Sequence, residues 1–343
     1  MPRRRTEQDS NWTRRFQQDQ HDADYTSSNQ QFSNRSKYAR EVRMKRTAEI
    51  RAAKEVISGD VEGLPLGEII QVHSLFAEVL SQDTIYLAVS RRTHQRMSDS
   101  SVIVGDRVRF RPTGTTNEAH QPEASIELIL PRQTVLLRQN SFRKHLTAPI
   151  VANAAQMLIV ASILEPRPKW GLVDRMLIAA ESGGLKPIIC LNKLDLASED
   201  AELLEEAAAI LAHYQSLGVT VLQTSIQTRL GLDALQQVLL TGPTVLAGHS
   251  GVGKSSLINS IAPGIDIRVG IVSAYNDKGR HTTTSARRYQ LPGGAIVIDT
   301  PGVRQFGLVN VLPDSLLDFF PDVAAETAPL WRTESYQRIL ETL

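Results

Sequence analysis

One stretch in the second half of the chain has residue types and a spacing that suit phosphate chemistry. It consists of Gly248, His249, Ser250, Gly251, Val252, Gly253, Lys254, Ser255 and Ser256. The glycines let the backbone curve so that several N–H groups face one anion. Lys254 would place its charge on the β- and γ-phosphates of a nucleotide, and the Ser255 hydroxyl would coordinate Mg²⁺. An apolar strand over 244–247 and a helix over 255–261 would position this phosphate loop, whereas a glycine-rich turn that binds nothing needs neither element.

A second short motif carries the chemistry of base recognition. Asn192, Lys193 and Asp195 directly follow an apolar strand over 187–191. The Asp195 carboxylate can accept two hydrogen bonds from N1 and N2 of guanine, a contact that adenine cannot offer. Lys193 would pack its stem along the nucleotide, and Asn192 would tie the loop to neighbouring segments. At the carboxyl end of a strand, in a chain with a phosphate loop, the motif predicts a guanine site.

The next strand, over 219–222, is followed by Thr224, Ser225 and Ile226. In a guanine-nucleotide site the backbone of Ser225 and Ile226 would meet the guanine O6. A plain strand-to-helix cap has the same residue types, and the sequence leaves both interpretations open.

A third group of residues would complete the metal and γ-phosphate end. Asp299 and Gly302 form an Asp-x-x-Gly pattern, in which Asp299 holds Mg²⁺ through water and the Gly302 N–H senses the γ-phosphate. The polar segment 278–284 suits a switch loop, and Thr283 is the residue expected to complete the Mg²⁺ shell. An ordinary disordered loop is the alternative for this segment.

The order of these motifs along the chain is unusual. The guanine motif comes first, and the phosphate loop, the switch threonines and Asp-x-x-Gly follow. Common GTPases begin with the phosphate loop. A sheet tolerates a new pair of chain ends, because its stability depends on packing and ladder contacts and its termini lie at the surface. The order therefore predicts a circularly permuted α/β P-loop GTPase domain.

Composition excludes several classes of protein. The 343 residues are 41% hydrophobic, which is ordinary for a globular chain, and no apolar run is long enough to span a bilayer. The N-terminus lacks the apolar segment of a secretory signal. The single cysteine, Cys190, excludes an internal disulfide and a cysteine-rich zinc site, and as part of an apolar strand it is expected in the core. These features predict a cytoplasmic protein with no membrane partner, and we expect a monomer.

Positive charge is concentrated at the start of the chain. Residues 1–54 hold 13 Lys and Arg against 7 Asp and Glu, about +6, and the remainder carries about −5. Segment 1–55 is polar and predicts a disordered basic tail, with a basic helix possible over 38–56. The tail is either a solvated leader or an arm that contacts RNA phosphates.

The rest of the chain divides into three parts. Five β-type runs within 56–138 predict a small closed all-β barrel. An OB-fold, which often binds nucleic acid, fits this count, and a generic small β-barrel used for docking fits it equally well. Alternating strands and helices over 139–312 predict the GTPase domain, a largely parallel sheet covered on both faces. Segment 313–343 is the third part.

These features together resemble the RsgA (YjeQ) family of circularly permuted ribosome-assembly GTPases over about residues 63–320. The resemblance rests on the permuted order, the phosphate loop, Gly-Arg-His-Thr-Thr-Thr from Gly279, Asp-Thr-Pro-Gly-Val-Arg-Gln-Phe-Gly from Asp299, and the barrel with Gly105-Asp106-Arg107-Val108. It implies GTP and GDP as ligands with Mg²⁺. It also implies docking on the rRNA of the small ribosomal subunit and GTP hydrolysis stimulated there, late in maturation of that subunit.

The resemblance also bears on catalysis. Val303 stands where Ras-like enzymes place the glutamine that orients water, so hydrolysis by the isolated chain should be slow. The family assigns a catalytic role to the histidine at His281, beside Lys254 and the Gly302 N–H. A solvated loop histidine is the alternative at this position.

The C-terminus departs from the family. Members usually carry a zinc domain with three cysteines and a histidine after the GTPase core, and here no Cys or His follows His281. Residues 333–340 resemble the final helix of the family. Segment 313–343 is therefore expected to be a shortened helical piece without zinc.

Two other functions are compatible with a phosphate loop. A metabolite kinase would not need the guanine motif at 192–195. An RNA-binding module with a vestigial nucleotide site would not need to keep Lys254, Ser255 and Asp299.

Overall fold

The computed structural model describes residues 61–90, 101–139, 147–265, 286–300, 308 and 311–343. The predicted basic tail 1–55 and the candidate residues His281, Thr283 and Gly302 lie outside the described residues. The chain divides into a unit over 1–60 and a unit over 61–343, and every described residue belongs to the second. Among these residues, none of the helices is both long and apolar enough to cross a membrane.

The N-terminal part of the second unit is a closed five-stranded barrel. Its strands are β1 (Leu66–Val72), β2 (Ala77–Ser81), β3 (Thr84–Ser90), β4 (Arg107–Thr116) and β5 (Pro122–Ile129). They pair in the order β1-β2-β3-β5-β4, and β4 returns to β1, so the predicted OB-like barrel is confirmed. Alternating residues point inward and form one core of Ile69, Ala77, Val79, Ala88, Val108, Phe110, Ala124 and Ile126.

A hairpin that the sequence patterns did not predict follows the barrel. Strand β6 (Val135–Gln139) pairs with β7 (Thr147–Ala152) in a separate two-stranded sheet. The turn at Gly105 is held against β7, since Asn153 donates from Nδ2 to the Gly105 carbonyl oxygen at 2.8 Å. Gly105 has φ +86°, and a Cβ there would lie 1.9 Å from the Ala152 carbonyl oxygen, so only glycine allows this approach.

The remaining strands form the α/β part. Strands β8 (Gln156–Ser162), β9 (Lys186–Asn192), β10 (Thr220–Gln223), β11 (Thr244–Ala247) and β13 (Ile296–Asp299) run parallel, and β12 (Arg287–Gln290) pairs antiparallel with β13. The helices are α1 (Trp170–Ser182), α2 (Ala201–Ser216), α3 (Leu232–Leu239) and α4 (Lys254–Ile261). Separate apolar cores lie on the two sheet faces, which is why β8 is buried along its whole length.

The order of strands in this sheet is β10-β9-β8-β11-β13-β12, and β12 then pairs with β1 of the barrel. The two β structures are therefore one continuous eleven-stranded sheet. The strand β11 that precedes the phosphate loop lies in the middle, between β8 and β13, and β9 with the guanine motif lies one strand further on.

The C-terminal segment packs on helix α1. It contains a 3₁₀ helix (Pro313–Phe319), a short helix α5 (Pro321–Ala324) and helix α6 (Leu330–Leu340). Ile178 of α1 shares a small core with residues from this segment, namely Val311, Leu316, Phe320 and Ile339. Helix α6 begins three residues before the predicted helix and ends at the same residue.

Candidate nucleotide site

The predicted motifs meet at one edge of the sheet. The guanine motif follows β9, Ser225 follows β10, the phosphate loop follows β11, and Asp299 ends β13. These four strands are parallel, so their carboxyl ends lie on the same edge, where α/β proteins bind their ligands. The structure thus brings together residues that are more than one hundred positions apart in sequence.

The phosphate loop lies between the end of β11 and the start of α4, and two of its glycines allow close backbone approaches. Gly248 has φ +135°, and a Cβ there would lie 2.2 Å from the Val160 carbonyl oxygen of β8. Gly253 has φ +93°, and a Cβ there would lie 2.7 Å from Asn192 Nδ2. Larger residues at these positions would push the loop away from β8 and from the guanine motif. The N-terminus of α4 opens into the loop directly after Gly253.

Lys254 and Asp299 place opposite charges at the phosphate end. The Lys254 ammonium donates to the carbonyl oxygens of Gly248 at 2.8 Å and His249 at 2.9 Å. Burial lowers the pKa of Lys254, and the nearby Asp299 carboxylate opposes that shift. Burial raises the pKa of Asp299, while Lys254 and the Thr300 N–H oppose the change. The charge of each side chain therefore shifts the pKa of the other in a partly desolvated site.

The metal ligands predicted within the described residues fit Mg²⁺. The Ser255 hydroxyl, in the first turn of α4, is half-buried and makes no hydrogen bond within the described part of the chain, which leaves it free to ligate. Asp299 adds one carboxylate. The described residues contain no group of three His, Cys, Asp or Glu that could hold a metal ion by themselves. One carboxylate and one hydroxyl suit Mg²⁺, which keeps waters and takes the remaining ligands from the phosphates of its nucleotide.

Asn192 joins the guanine motif to the phosphate loop. Its side chain is completely buried and donates from Nδ2 to the Val252 carbonyl oxygen at 3.1 Å. Its Oδ1 accepts a hydrogen bond from the Thr224 hydroxyl at 3.0 Å. Because both ends of the amide are used within the protein, Asn192 acts as a tie between three loops and does not face the base.

The neighbouring residues carry the groups predicted to recognise the base. Ser225 donates its hydroxyl to Asp195 Oδ1 at 2.5 Å, which fixes the carboxylate while its second oxygen stays available. Lys193 has a left-handed backbone, with φ +62°, and its ammonium donates to the Glu165 carbonyl oxygen at 2.5 Å. Ile226 is half-buried and packs against the core on the α3 and α4 side of the sheet. The Ser225–Asp195 contact joins segment 224–226 to the predicted guanine motif.

Sequence reasoning missed Thr224 as a positioning residue. Its side chain is fully buried, its N–H donates to the Leu191 carbonyl oxygen at 2.8 Å, and its hydroxyl lies 3.3 Å from the Cys190 sulfur. Cys190 is completely buried, which raises its pKa to about 12 and makes it a core residue with no nucleophilic thiolate. The signal available in the sequence was a threonine directly after β10 and directly before Ser225, which contacts Asp195. Its hydrogen bond to Asn192 depends on the register of β9 and β10 and could not be predicted.

Sequence reasoning also missed the loop after β8. Ser162 donates its hydroxyl to the Pro166 carbonyl oxygen at 2.8 Å, and Lys193 holds the preceding residue, Glu165. A small apolar cavity lies between this loop, the start of α1 and the phosphate loop, with Gly248, His249 and Val252 in its wall. The loop therefore supports the site from the side of α1.

The fold and the site define a class of protein. The predicted phosphate loop, the predicted guanine loop and Asp299 share one edge of a parallel sheet, and the guanine loop precedes the phosphate loop along the chain. This is a circularly permuted P-loop GTPase fold, preceded by an OB-like barrel.

Comparison with known proteins gives the family. Residues 129–309 match the family model described as RsgA GTPase. The chain is 40% identical over 266 residues to the "Small ribosomal subunit biogenesis GTPase RsgA" of Azotobacter vinelandii, covering 77% of this chain and 74% of that protein. It is 38% identical over 269 residues to the protein of the same name from Pseudomonas aeruginosa, covering 78% and 75%. The chain belongs to the RsgA GTPase family and is a GTP-hydrolysing enzyme.

Solved structures agree with the fold. The crystal structure of YjeQ from Thermotoga maritima superposes with a TM-score of 0.64 at 25% identity and covers 81% of this chain and 98% of that chain. The structure of YloQ, described as a circularly permuted GTPase, gives a TM-score of 0.59 at 22% identity, with 84% and 97% covered. Both likenesses extend over the barrel as well as the GTPase part, since they cover about four fifths of this chain.

Proposed function

We propose that this GTPase of ribosome biogenesis binds the small ribosomal subunit and hydrolyses GTP to GDP and phosphate during late maturation of that subunit. The observation that carries the proposal is the hydrogen bond by which Asn192 ties the predicted guanine loop to the predicted phosphate loop. The names of the relatives, which share about 40% of aligned residues with this chain, connect such a site to the small subunit.

The described residues bind and orient the nucleotide. Asp195 accepts from the N1 and N2 donors of guanine, and Ser225 holds the carboxylate for that contact. The backbone from Gly248 to Gly253 surrounds the phosphates. The Lys254 ammonium donates to two carbonyl oxygens of this loop and would donate to phosphate oxygens in their place when a nucleotide is bound. Ser256 follows Ser255 in the first turn of α4.

The metal end would be held by Ser255 and Asp299, with Thr283 as a third ligand in the GTP-bound state. Mg²⁺ bound there would neutralise charge that develops on the β- and γ-phosphates. The Gly302 N–H would contact the γ-phosphate. Thr283 and Gly302 belong to this proposal through the sequence motifs alone.

Hydrolysis is proposed to depend on His281 and on the partner. Val303 has an apolar side chain and cannot orient water, so another group must do so. A histidine can accept a proton or a hydrogen bond from water. We place His281 in this role, with the small subunit needed to bring it to the nucleotide, so we expect slow hydrolysis by the free protein.

The barrel and the basic tail are the proposed contacts with rRNA. The tail carries about +6 of net charge, so phosphate contacts made by residues 1–54 should release counterions. Subunit binding by the full chain should weaken steeply as salt rises, and a chain lacking 1–54 should show a shallower salt dependence. Equal affinity and equal salt slope for both chains would assign recognition to the barrel alone.

The central experiment measures GTP turnover with isolated small subunits, isolated large subunits and no addition. The proposal predicts marked stimulation by small subunits only, and inhibition by GDP but not ADP. His281→Ala should lower the stimulated kcat and leave GTP affinity nearly unchanged. No stimulation of the full-length chain would contradict the proposed partner, whereas stimulation that survives His281→Ala would contradict the role of this histidine.

A further inference from the structure

The barrel is joined to the GTPase sheet at a position close to Asp299. Gln71 of β1 pairs with Arg287 of β12, and Arg287 pairs with Asp299 of β13. Asp299 pairs in turn with Leu246, two residues before the phosphate loop begins at Gly248. Neighbouring strands lie about 4.8 Å apart. Two such spacings, roughly 10 Å in total, separate β1 of the barrel from β13, the strand that carries Asp299.

An ion pair crosses this joint, the contact between β1 of the barrel and β12 of the GTPase sheet. Arg288 of β12 and Glu68 of β1 place Nε and Oε1 3.0 Å apart, and their side chains are 7% and 31% exposed. On the barrel side, Glu68 also lies opposite Arg107 of β4. Burial raises the pKa of Glu68, and the charges of Arg288 and Arg107 oppose that shift. The Glu68 carboxylate thus lies between one arginine of the GTPase sheet and one of the barrel.

The backbone link at this joint is slight. Within the described residues, β12 pairs with β13 at four positions but with β1 only at Gln71 and Arg287. A single ladder pair does little to fix the angle between two strands. The Arg288–Glu68 ion pair, whose arginine is buried and whose carboxylate is half-buried, supplies a second contact between β12 and β1, and two contacts fix the alignment of these strands better than one.

Resting on the function proposed above, we propose that Glu68 and Arg288 are positioning residues for the GTPase site. Their ion pair holds β12 against the barrel and thereby sets the alignment of Asp299 on the adjacent strand. A macromolecule that binds the barrel and shifts β1 would then act on Asp299 through β12. The guanine loop lies on the far side of β11 and would be unaffected.

The test is a double-mutant cycle with Glu68→Gln, Arg288→Gln and both together. The readouts are the Mg²⁺ concentration for half-maximal GTP hydrolysis, kcat at saturating Mg²⁺, stimulation by isolated small subunits, and GDP affinity without Mg²⁺. Each single variant should raise the half-saturating Mg²⁺ concentration about 5-fold or more. The double variant should be no worse than the worse single one, and GDP affinity without Mg²⁺ should stay within about 2-fold.

The matched control is an exposed ion pair of the same type. Glu334 and Arg338 on α6 lie 2.6 Å apart with side chains 47% and 72% exposed. Glu334→Gln and Arg338→Gln remove the same charges away from the joint and should leave all four readouts unchanged. Arg288→Lys keeps the positive charge and should restore part of the Mg²⁺ response if Arg288→Gln is too unstable to measure.

The outcomes separate this inference from the proposed function. In one outcome, small subunits fail to stimulate the wild-type protein while the Mg²⁺ response still shifts in the variants. That result would contradict the proposed partner and support the positioning role. Normal stimulation and a normal Mg²⁺ response in all three variants would overturn the positioning role and keep the partner. Additive effects, or equal losses in GDP affinity without Mg²⁺, would also overturn it, because they indicate general damage to the fold.

Discussion

Asn192 donates from Nδ2 to the Val252 carbonyl oxygen at 3.1 Å, across 60 positions of sequence. This contact holds the predicted guanine loop to the predicted phosphate loop. The other end of the same amide accepts from Thr224, which follows the adjacent strand β10. Asn192 therefore connects the two loops and the end of β10, so we expect a substitution at Thr224 to change nucleotide affinity.

Thr224→Val should weaken GDP and GTP binding about 10-fold. The substitution leaves the buried Asn192 Oδ1 without its donor, and an unsatisfied buried polar group costs about 1–3 kcal/mol. Thr224→Ser keeps the hydroxyl and should bind almost normally. Titration with a fluorescent guanine nucleotide measures both variants, and wild-type affinity in Thr224→Val would show that Asn192 needs no second anchor.

Asp195→Asn should weaken GTP binding by roughly 10- to 100-fold and favour xanthosine triphosphate. The amide places a donor where guanine also donates, whereas xanthine has an oxygen there. Asp233→Asn removes an exposed carboxylate at the start of α3 and serves as the control. Competition between the two nucleotides measures the change, and an unaltered preference for GTP would remove Asp195 from the base site.

Lys254→Ala should damage phosphate binding and shift the pH dependence of Mg²⁺ activation. The Lys254 charge lowers the pKa of Asp299, which burial has already raised. Without the lysine the pKa rises further, so Asp299 is protonated at a higher pH and Mg²⁺ activation is lost earlier as pH falls. Lys186→Ala, at the exposed start of β9, is the control. Identical pH profiles for Mg²⁺ activation would contradict the Lys254–Asp299 coupling.

Arg332→Met should destabilise the fold by about 3–5 kcal/mol, because it leaves a buried charge unpaired. Arg332 of α6 contacts the fully buried Asp174 of α1, whose Oδ1 also accepts from the Tyr214 hydroxyl at 2.6 Å. Burial raises the pKa of Asp174 and Arg332 opposes the shift, so the variant has the higher pKa. Protonation then relieves the cost, and the deficit in stability should shrink as pH is lowered.

Chemical denaturation at two pH values measures that deficit, with Arg338→Met on the exposed face of α6 as the control. A deficit of under 1 kcal/mol, or one that is the same at both pH values, would show that the C-terminal segment does not depend on this contact.

The purified chain should hold no stoichiometric zinc. Cys190 is the only cysteine, and its burial in β9 keeps the thiol protonated and out of reach of a metal. Elemental analysis after dialysis against a weak chelator checks this, with unfolding temperature followed in parallel. One retained zinc per chain, or a loss of stability when zinc is removed, would contradict the prediction.

Local patterns in the sequence determined the motifs and most of the strands and helices. Gly248 to Ser256 and Asn192 to Asp195 could be read directly, because their chemistry depends on residue type and short spacing. Their order along the chain was enough to predict the circular permutation. The five barrel strands and the helices α1 to α4 also follow from apolar periodicity over short stretches, which needs no knowledge of distant partners.

Only the tertiary structure decided which distant residues share a contact. The role of Thr224 depends on β10 lying beside β9, and the Arg332–Asp174 pair depends on α6 packing against α1, 158 positions earlier. The pairing of β1 with β12 joins the barrel to the strand beside Asp299. No pattern of apolar residues in either strand predicts this pairing. Such contacts are set by the packing of whole elements, because a side chain's partner across a sheet or between helices depends on register and position and not on its neighbours in sequence.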